Sequence, residues 1–140
     1  MITKCENETR KLGEKIAKKL TGGEVIGLVG DLGAGKTIFA QGLAKGLGIK
    51  KTINSPTFVL MRNYKVKGKK VKFFCHLDCY RLNDPQALVD IGIKDYLGQP
   101  DTVCVVEWAD KTKKILPKQV KWIRFFYGKK KQERIIRIIF

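Results

Sequence analysis

The apolar positions of this chain fall into distinct rhythms, and each rhythm predicts an element. From about Glu6 to Leu20, Leu12, Ile16 and Leu20 recur at helical spacing with Ala17 beside them; acids lie early and Lys18-Lys19 late, as the helix dipole favours. Gly22-Gly23 stops that helix. Val25-Ile26-Gly27-Leu28-Val29 is a short unbroken apolar run, the mark of a strand buried on both faces. Phe39, Leu43 and Leu47, with Ala40 and Ala44, then stripe a second helix that Gly48 can end. Phe58 to Val66 and Val71 to Tyr80 read as strands joined through Lys67-Gly68-Lys69-Lys70. On the second of these, period two assigns Val71, Phe73, Cys75, Leu77 and Cys79 to the core and leaves His76, Asp78 and Tyr80 as a polar row that can border a site.

Asp84 as N-cap and Pro85 as first helical residue open a short helix through about Ile91, and a second short piece runs from Ile93 to Leu97. Val103-Cys104-Val105-Val106 is another doubly buried strand, ending in Glu107-Trp108. A weak helix from Lys111 to Leu116 is stopped by Pro117. Val120 to Tyr127 and Glu133 to Phe140 form a final hairpin around Gly128-Lys129-Lys130-Lys131. Together these predict an α/β fold, a mixed β-sheet flanked by helices with β-hairpins, in a single domain spanning residues 1–140.

Between the first buried strand and the second helix lies Gly30-Asp31-Leu32-Gly33-Ala34-Gly35-Lys36-Thr37, which fits the phosphate-binding P-loop G-x-x-x-x-G-K-[ST]. The context is the one the motif needs: strand before, helix after. Its glycines let the backbone curl until successive N–H groups converge on phosphate oxygens, and the helix N-terminus adds partial positive charge. Lys36 is placed to reach the outer phosphates and the Thr37 hydroxyl to ligate Mg²⁺. The glycine order is not G-x-G-x-x-G, so a dinucleotide fingerprint is not supported.

The net charge of +16 draws the protein toward polyanions, but its lysines cluster at Lys65 to Lys72, Lys111 to Lys121 and Lys129 to Lys131, where solvated turns account for most of them. Aromatic residues interleave poorly with these clusters, so no stacking platform for single strands is evident. The polar start and the lack of any apolar run near about 18 residues predict a cytoplasmic protein with no membrane association. Cys5, Cys75, Cys79 and Cys104 are expected as free thiols. Cys75, His76, Asp78 and Cys79 do not make a metal site, because strand neighbours point to opposite faces.

Two further sets of residues bear on chemistry. Thr52 to Thr57 is a polar loop in which Ser55-Pro56-Thr57 is a candidate switch sensing phosphate or metal. Asp78 and Glu107 both end apolar strands, where ligands of open α/β sheets gather; either can assist Mg²⁺, and Glu107 is favoured because its strand is more continuously buried.

The combination of Gly30 to Thr37, Ser55-Pro-Thr-Phe58, His76-Leu-Asp-Cys-Tyr-Arg-Leu82 and Glu107-Trp108 closely resembles the TsaE (YjeE) family, bacterial P-loop ATPases of tRNA threonylcarbamoyladenosine synthesis. The resemblance runs from Thr9 to Arg134. It implies Ser55, Pro56 and Thr57 as the switch, Asp78 as the Walker B-like acid, and Thr37 with Glu107 as the Mg²⁺ pair. It also implies a catalytic set of Lys36, Asp78 and Glu107. ATP would be bound by Gly30, Asp31, Leu32, Gly33, Ala34, Gly35, Lys36, Thr37 and Ile38, with Trp108 near the nucleotide and Thr9 on the adenine side. The implied partners are the TsaD–TsaB pair, with tRNA engaged at least indirectly, and the implied activity is weak, partner-stimulated ATP hydrolysis that resets the complex. Ile38 stands where a second Thr is common, and Ala109-Asp110 follows Trp108 where Pro or Ala and Glu are usual. A small-molecule kinase would need an acceptor pocket and usually an Arg-rich lid, and this chain has few arginines and no long insertion. A nucleic-acid-binding module would rest on the lysine clusters.

Overall fold

The computed structural model describes residues 1–51, 53 and 61–139. Its elements in chain order are β1 (Ile2–Thr3), α1 (Glu6–Ala17), β2 (Val25–Gly30), α2 (Lys36–Gly46), β3 (Met61–Lys65), β4 (Phe73–Asp78), α3 (Gln86–Asp90), β5 (Thr102–Glu107), β6 (Lys121–Tyr127) and β7 (Arg134–Ile139). Short 3-10 turns occupy Ile93–Asp95 and Ala109–Thr112. All seven strands share one sheet, in the order β1-β7-β6-β2-β5-β4-β3. β2 runs parallel to both its neighbours, β5 and β6, and β4 runs parallel to β5. The two edges are finished antiparallel, by β3 on one side and by β7 and β1 on the other. This is the mixed α/β sheet that the apolar rhythms predict.

The unbroken apolar runs are explained by two packed layers. On one face α1 and α2 bring Ile16, Phe39 and Leu43 against Ile26, Leu28, Val105, Ile123 and Phe125. On the other, Leu88 of α3 and Ile93 cover Val25, Cys75, Leu77, Cys104 and Val106. Strands β2 and β5 therefore have no water-facing side, and alternation would have been fatal to them.

The same double cover corrects the period-two assignment on β4. Phe73, expected in the core, is 39 % exposed, while Phe74 and His76, on the row expected to be polar, are fully buried. Helices lie over that row as well, so polarity along β4 does not mark a wet face. Other boundaries shift slightly. α1 ends at Ala17 instead of Leu20, though Leu20 stays buried and its N–H reaches the Ala17 carbonyl at 3.1 Å. The expected helix from Lys111 is only the 3-10 turn Ala109–Thr112. α3 starts at Gln86 with Pro85 in the N-cap position, one residue later than expected, and Asp84 Oδ1 accepts the Gln86 N–H at 3.0 Å. The starting residues of the first hairpin strand, from Phe58, lie outside the described residues, as does the last residue of the final hairpin.

All four cysteines are free thiols. Cys75 and Cys104 sit in register on β4 and β5, where their hydrogen bond and burial push the Cys75 thiol far up; burial pushes Cys79 up to about 12. These are packing residues without thiolate reactivity. Among the described residues no helix is long and apolar enough to cross a membrane.

α1 and α2 cross closely enough that backbone meets backbone. A Cβ on Gly42 would lie 2.1 Å from the Arg10 carbonyl oxygen, and one on Gly13 would lie 2.5 Å from that of Phe39. Glycine is required at this crossing for its missing side chain, and the crossing fixes the helix that starts at Lys36. Gly42→Ala is expected to force the helices apart and cost about 3 kcal/mol, the upper range for overpacking. Thermal melts of this variant should show a fall of roughly 10 °C, whereas Lys18→Ala on the exposed side should melt like wild type.

Candidate nucleotide-binding site

The site forms where β2 stops and the chain must turn into α2. Gly33 and Gly35 take φ of 77° and 105°, a left-handed backbone that other residues adopt only under strain. Gly35 immediately precedes the helix, and its carbonyl accepts the first helical bond, from Phe39 N–H at 3.0 Å. The first N–H groups of α2 thus stand at the loop without intrahelical partners, the arrangement that receives anions. Two outward carbonyls of the loop are held by the last hairpin: the Tyr127 hydroxyl donates to Leu32 O, and Arg134 Nη2 donates to Gly33 O at 3.0 Å.

Lys36 is only 4 % exposed. Its ammonium folds back onto its own loop, donating to Gly30 O at 2.5 Å and Asp31 O at 2.7 Å, and lies 4.1 Å from the centre of the Trp108 ring. Burial lowers its pKa below the ordinary 10.5, while Glu107, Asp78, Asp31 and Asp110 pull the other way. The charge is therefore a net burden to the folded protein, one that an anion at the loop would relieve.

The next residue, Thr37, donates its hydroxyl to Glu107 Oε1 at 2.7 Å. The other carboxylate oxygen, Oε2, lies 2.6 Å from His76 Nε2. Glu107 is 2 % exposed and His76 fully buried, with His76 Nδ1 meeting no hydrogen-bond partner among the described residues. β4 and β5 run in register, so Asp78 stands directly beside Glu107. Asp78 is half-buried, and its Oδ1 accepts the Tyr80 N–H at 3.0 Å.

Trp108 follows Glu107 in a left-handed conformation, φ 59°, which turns the chain back over the loop. Its ring lies 5.0 Å from that of Tyr80, and Lys111 closes the far side, donating to Tyr80 O at 2.6 Å. Thr9 reaches the loop from α1: its hydroxyl is shared with Thr3 at 2.7 Å, while its methyl would lie 3.6 Å from a Cβ on Gly35. At the loop itself Asp31 and Leu32 are exposed, Ala34 is buried, and Ile38 is half-buried in the first turn of α2.

The structure thus gathers Gly30 to Ile38, Asp78, Glu107 and Trp108 at the carboxyl ends of β2, β4 and β5, with Thr9 at the loop's flank. Ser55, Pro56 and Thr57 lie outside the described residues. Three contacts escaped the sequence reading. The pairing of His76 with Glu107 depends on the register of two strands far apart in the chain, although His76, the chain's one histidine, had the sequence signal of standing two residues from Asp78. Tyr127 and Arg134 gave no such signal, since their hairpin reads only as β structure.

The donors at Thr37 and Glu107 are hard oxygens that already converge, and they fit Mg²⁺. Among the described residues no group of three or more His, Cys, Asp and Glu could hold an ion by itself.

A parallel strand that turns through a glycine loop into a helix opened by Lys36-Thr37, with a strand-end carboxylate on the threonine, defines the P-loop class of α/β proteins. Within that class the family model described as threonylcarbamoyl adenosine biosynthesis protein TsaE matches residues 3–136, and the chain belongs to the TsaE family. Similar proteins include the tRNA threonylcarbamoyladenosine biosynthesis proteins TsaE of Haemophilus influenzae, 42% identical over 66% of this chain and 56% of its own, and of Bacillus subtilis, 41% identical over 80% and 67%. That of Treponema pallidum is 37% identical over 83% of this chain and 82% of its own. The chain therefore spans little more than half the length of the Haemophilus relative. The crystal structure of Bacillus subtilis YdiB superposes with a TM-score of 0.75 at 32% identity, covering 99% of this chain and 82% of that one.

The buried ammonium leaves a signature in the pH dependence of stability. A lysine whose folded pKa lies below 10.5 lowers stability in full only while it stays protonated in the folded protein, and that penalty fades as pH climbs through the lowered value toward the unfolded one. Urea melts of wild type and Lys36→Met across alkaline pH should show the difference moving steadily in favour of wild type. A difference that does not change with pH would mean that Lys36 titrates as an ordinary lysine.

Proposed function

We propose that this protein is a Mg²⁺-dependent ATPase required for N6-threonylcarbamoyladenosine formation in tRNA, acting in the cytoplasm by binding the TsaD–TsaB pair and resetting it through ATP hydrolysis. The observation that carries the reading is the chain of contacts Thr37–Glu107–His76 at the mouth of a P-loop, in a member of the TsaE family. ATP binding would draw the Lys36 ammonium from the carbonyls of Gly30 and Asp31 onto the outer phosphates, exchanging a costly burial for a charge pair. The helix N-terminus and loop amides take the remaining negative charge. Thr37 and Glu107 would hold the metal, which when bound would supply neutralisation of phosphate charge.

His76 fixes the Glu107 carboxylate so that Oε1 stays aimed at Thr37. Asp78, beside it and partly open to water, is the acid with access to an attacking water molecule. Trp108 offers an aromatic wall near the loop, and Thr9 an apolar contact at its flank. Arg134 is committed to the outer side of the loop at Gly33 O. With this arginine turned away from the phosphates, hydrolysis by the protein alone is slow, and the complex that it serves must complete the site.

The test is phosphate release from Mg-ATP by wild type and Glu107→Ala, each alone and with TsaD–TsaB plus tRNA. Wild type should turn over slowly alone and faster with the pair, and Glu107→Ala should lose activity by roughly 100-fold or more while remaining folded. A wild type that never hydrolyses ATP under these conditions, or one that passes the phosphate to a metabolite, would sink the reading.

The role of His76 is separable. His76→Ala is expected to raise the Mg²⁺ needed for nucleotide binding by about ten-fold, while binding without Mg²⁺ is unchanged; His76→Gln, which can still donate to Oε2, should recover part of the loss. Equal weakening with and without Mg²⁺ would assign His76 to packing alone.

A further inference from the structure

The helices α1 and α2 cover only one side of the β6–β7–β1 edge. Ile123, Phe125, Ile136 and Ile138 point into that covered core. By alternation Trp122, Arg124 and Phe126 of β6 and Ile135, Arg137 and Ile139 of β7 point to the opposite side. Of these only Trp122 joins the second core layer, its ring lying where a Cβ on Gly27 would come within 2.9 Å. The register lays out the remainder in rows: Ile2–Ile135–Phe126, then Arg124–Arg137, then Trp122–Ile139 at the margin. Phe126 is 43 % exposed and Ile2 and Ile139 more so.

Two features of this face call for an anion with aromatic parts. Arg124 and Arg137 stand directly opposite each other, a like-charge pairing that destabilises a sheet. Among the described residues neither guanidinium has a carboxylate partner, since the ion pairs are Lys45–Glu14 and His76–Glu107. No acid lies on the outward face of these strands, and Lys129, Lys130 and Lys131 extend the positive field at the hairpin tip. The second feature is the open Phe126 ring, with the Arg137 guanidinium 5.5 Å from its centre. Arginine planes and an aromatic face on a bare sheet are what stack unpaired bases while binding phosphate.

We propose that this sheet face binds tRNA directly, with an unpaired base on Phe126 and phosphates on Arg124 and Arg137. A platform absent from the linear pattern thus arises from cross-strand register, with arginines in place of the lysine clusters. The apolar groups form rows split by arginines, which suits alternating bases and phosphates better than the continuous apolar patch of a membrane-inserting surface. The proposal stands independently of ATP hydrolysis.

The experiment measures anisotropy of a labelled, unmodified tRNA transcript with the full chain over a range of salt. Phe126→Ala should weaken binding roughly ten-fold, with Phe126→Tyr close to wild type. Arg124→Ala with Arg137→Ala should weaken it and flatten the log–log salt slope by about 2, with the paired Lys substitutions restoring the slope. Circular dichroism and melting temperature show that each variant is folded. Absence of tRNA binding by wild type, or binding lost only on Lys129→Ala, Lys130→Ala and Lys131→Ala together, would overturn the proposal. So would face variants that keep tRNA binding but lose attachment to TsaD–TsaB or to phosphatidylserine vesicles.

Discussion

One buried carboxylate ties the loop end of this protein's sheet together. Glu107 belongs to β5, takes the Thr37 hydroxyl from α2 on one oxygen, and meets the His76 ring from β4 on the other. Its backbone carbonyl also accepts the Cys79 N–H at 3.1 Å. Removing a carboxylate from water costs several kcal/mol, and the cost is offset only if every oxygen is met at short range. The structure meets that condition with two side chains, one from the start of α2 and one from the neighbouring strand β4. Displacing either of them would leave the charge stranded, so the start of α2 and the ends of β4 and β5 are held in one geometry before any ligand arrives.

That geometry explains which features were legible in the sequence. The P-loop declared itself because its residues are contiguous and its backbone conformation demands glycine at 33 and 35. Val25 to Val29 and Val103 to Val106 were legible because strands covered on both faces leave no room for polar alternation. β4 was misread for the same reason from the other side: His76 and Phe74 share a row with Asp78, but only the strand end reaches water, and a period of two carries no information on where cover stops. Of the two strand-end acids, Glu107 stands on the more continuously buried strand, and it is the one that meets the Thr37 hydroxyl. Its bond to His76 is a matter of register across thirty-one positions of chain and had no local signature.

The last hairpin shows a different limit of pattern. Its strands read correctly as β, yet two of its side chains hold the phosphate loop from behind, Tyr127 at Leu32 O and Arg134 at Gly33 O. The Arg134 guanidinium also lies 5.1 Å from the centre of the Tyr127 ring, so the two act as one brace. Carbonyls held outward favour amides turned inward, and the loop is thereby shaped by an element far along the chain. Because the described residues leave the outer face of this hairpin uncovered, whatever settles there touches the strand that shapes the loop, and by linkage a partner there and a ligand at the loop would change each other's affinity equally.

Finally, the stacking of the Lys36 ammonium on Trp108, 4.1 Å from the ring centre, gives the protein an optical consequence. A cation against an indole shifts its emission, and a ligand that pulls the ammonium onto phosphates changes that environment at once. The chain's other tryptophan, Trp122, is packed over Gly27 on the neighbouring strand. Occupancy of the site can therefore be followed by the protein's own fluorescence, without a label.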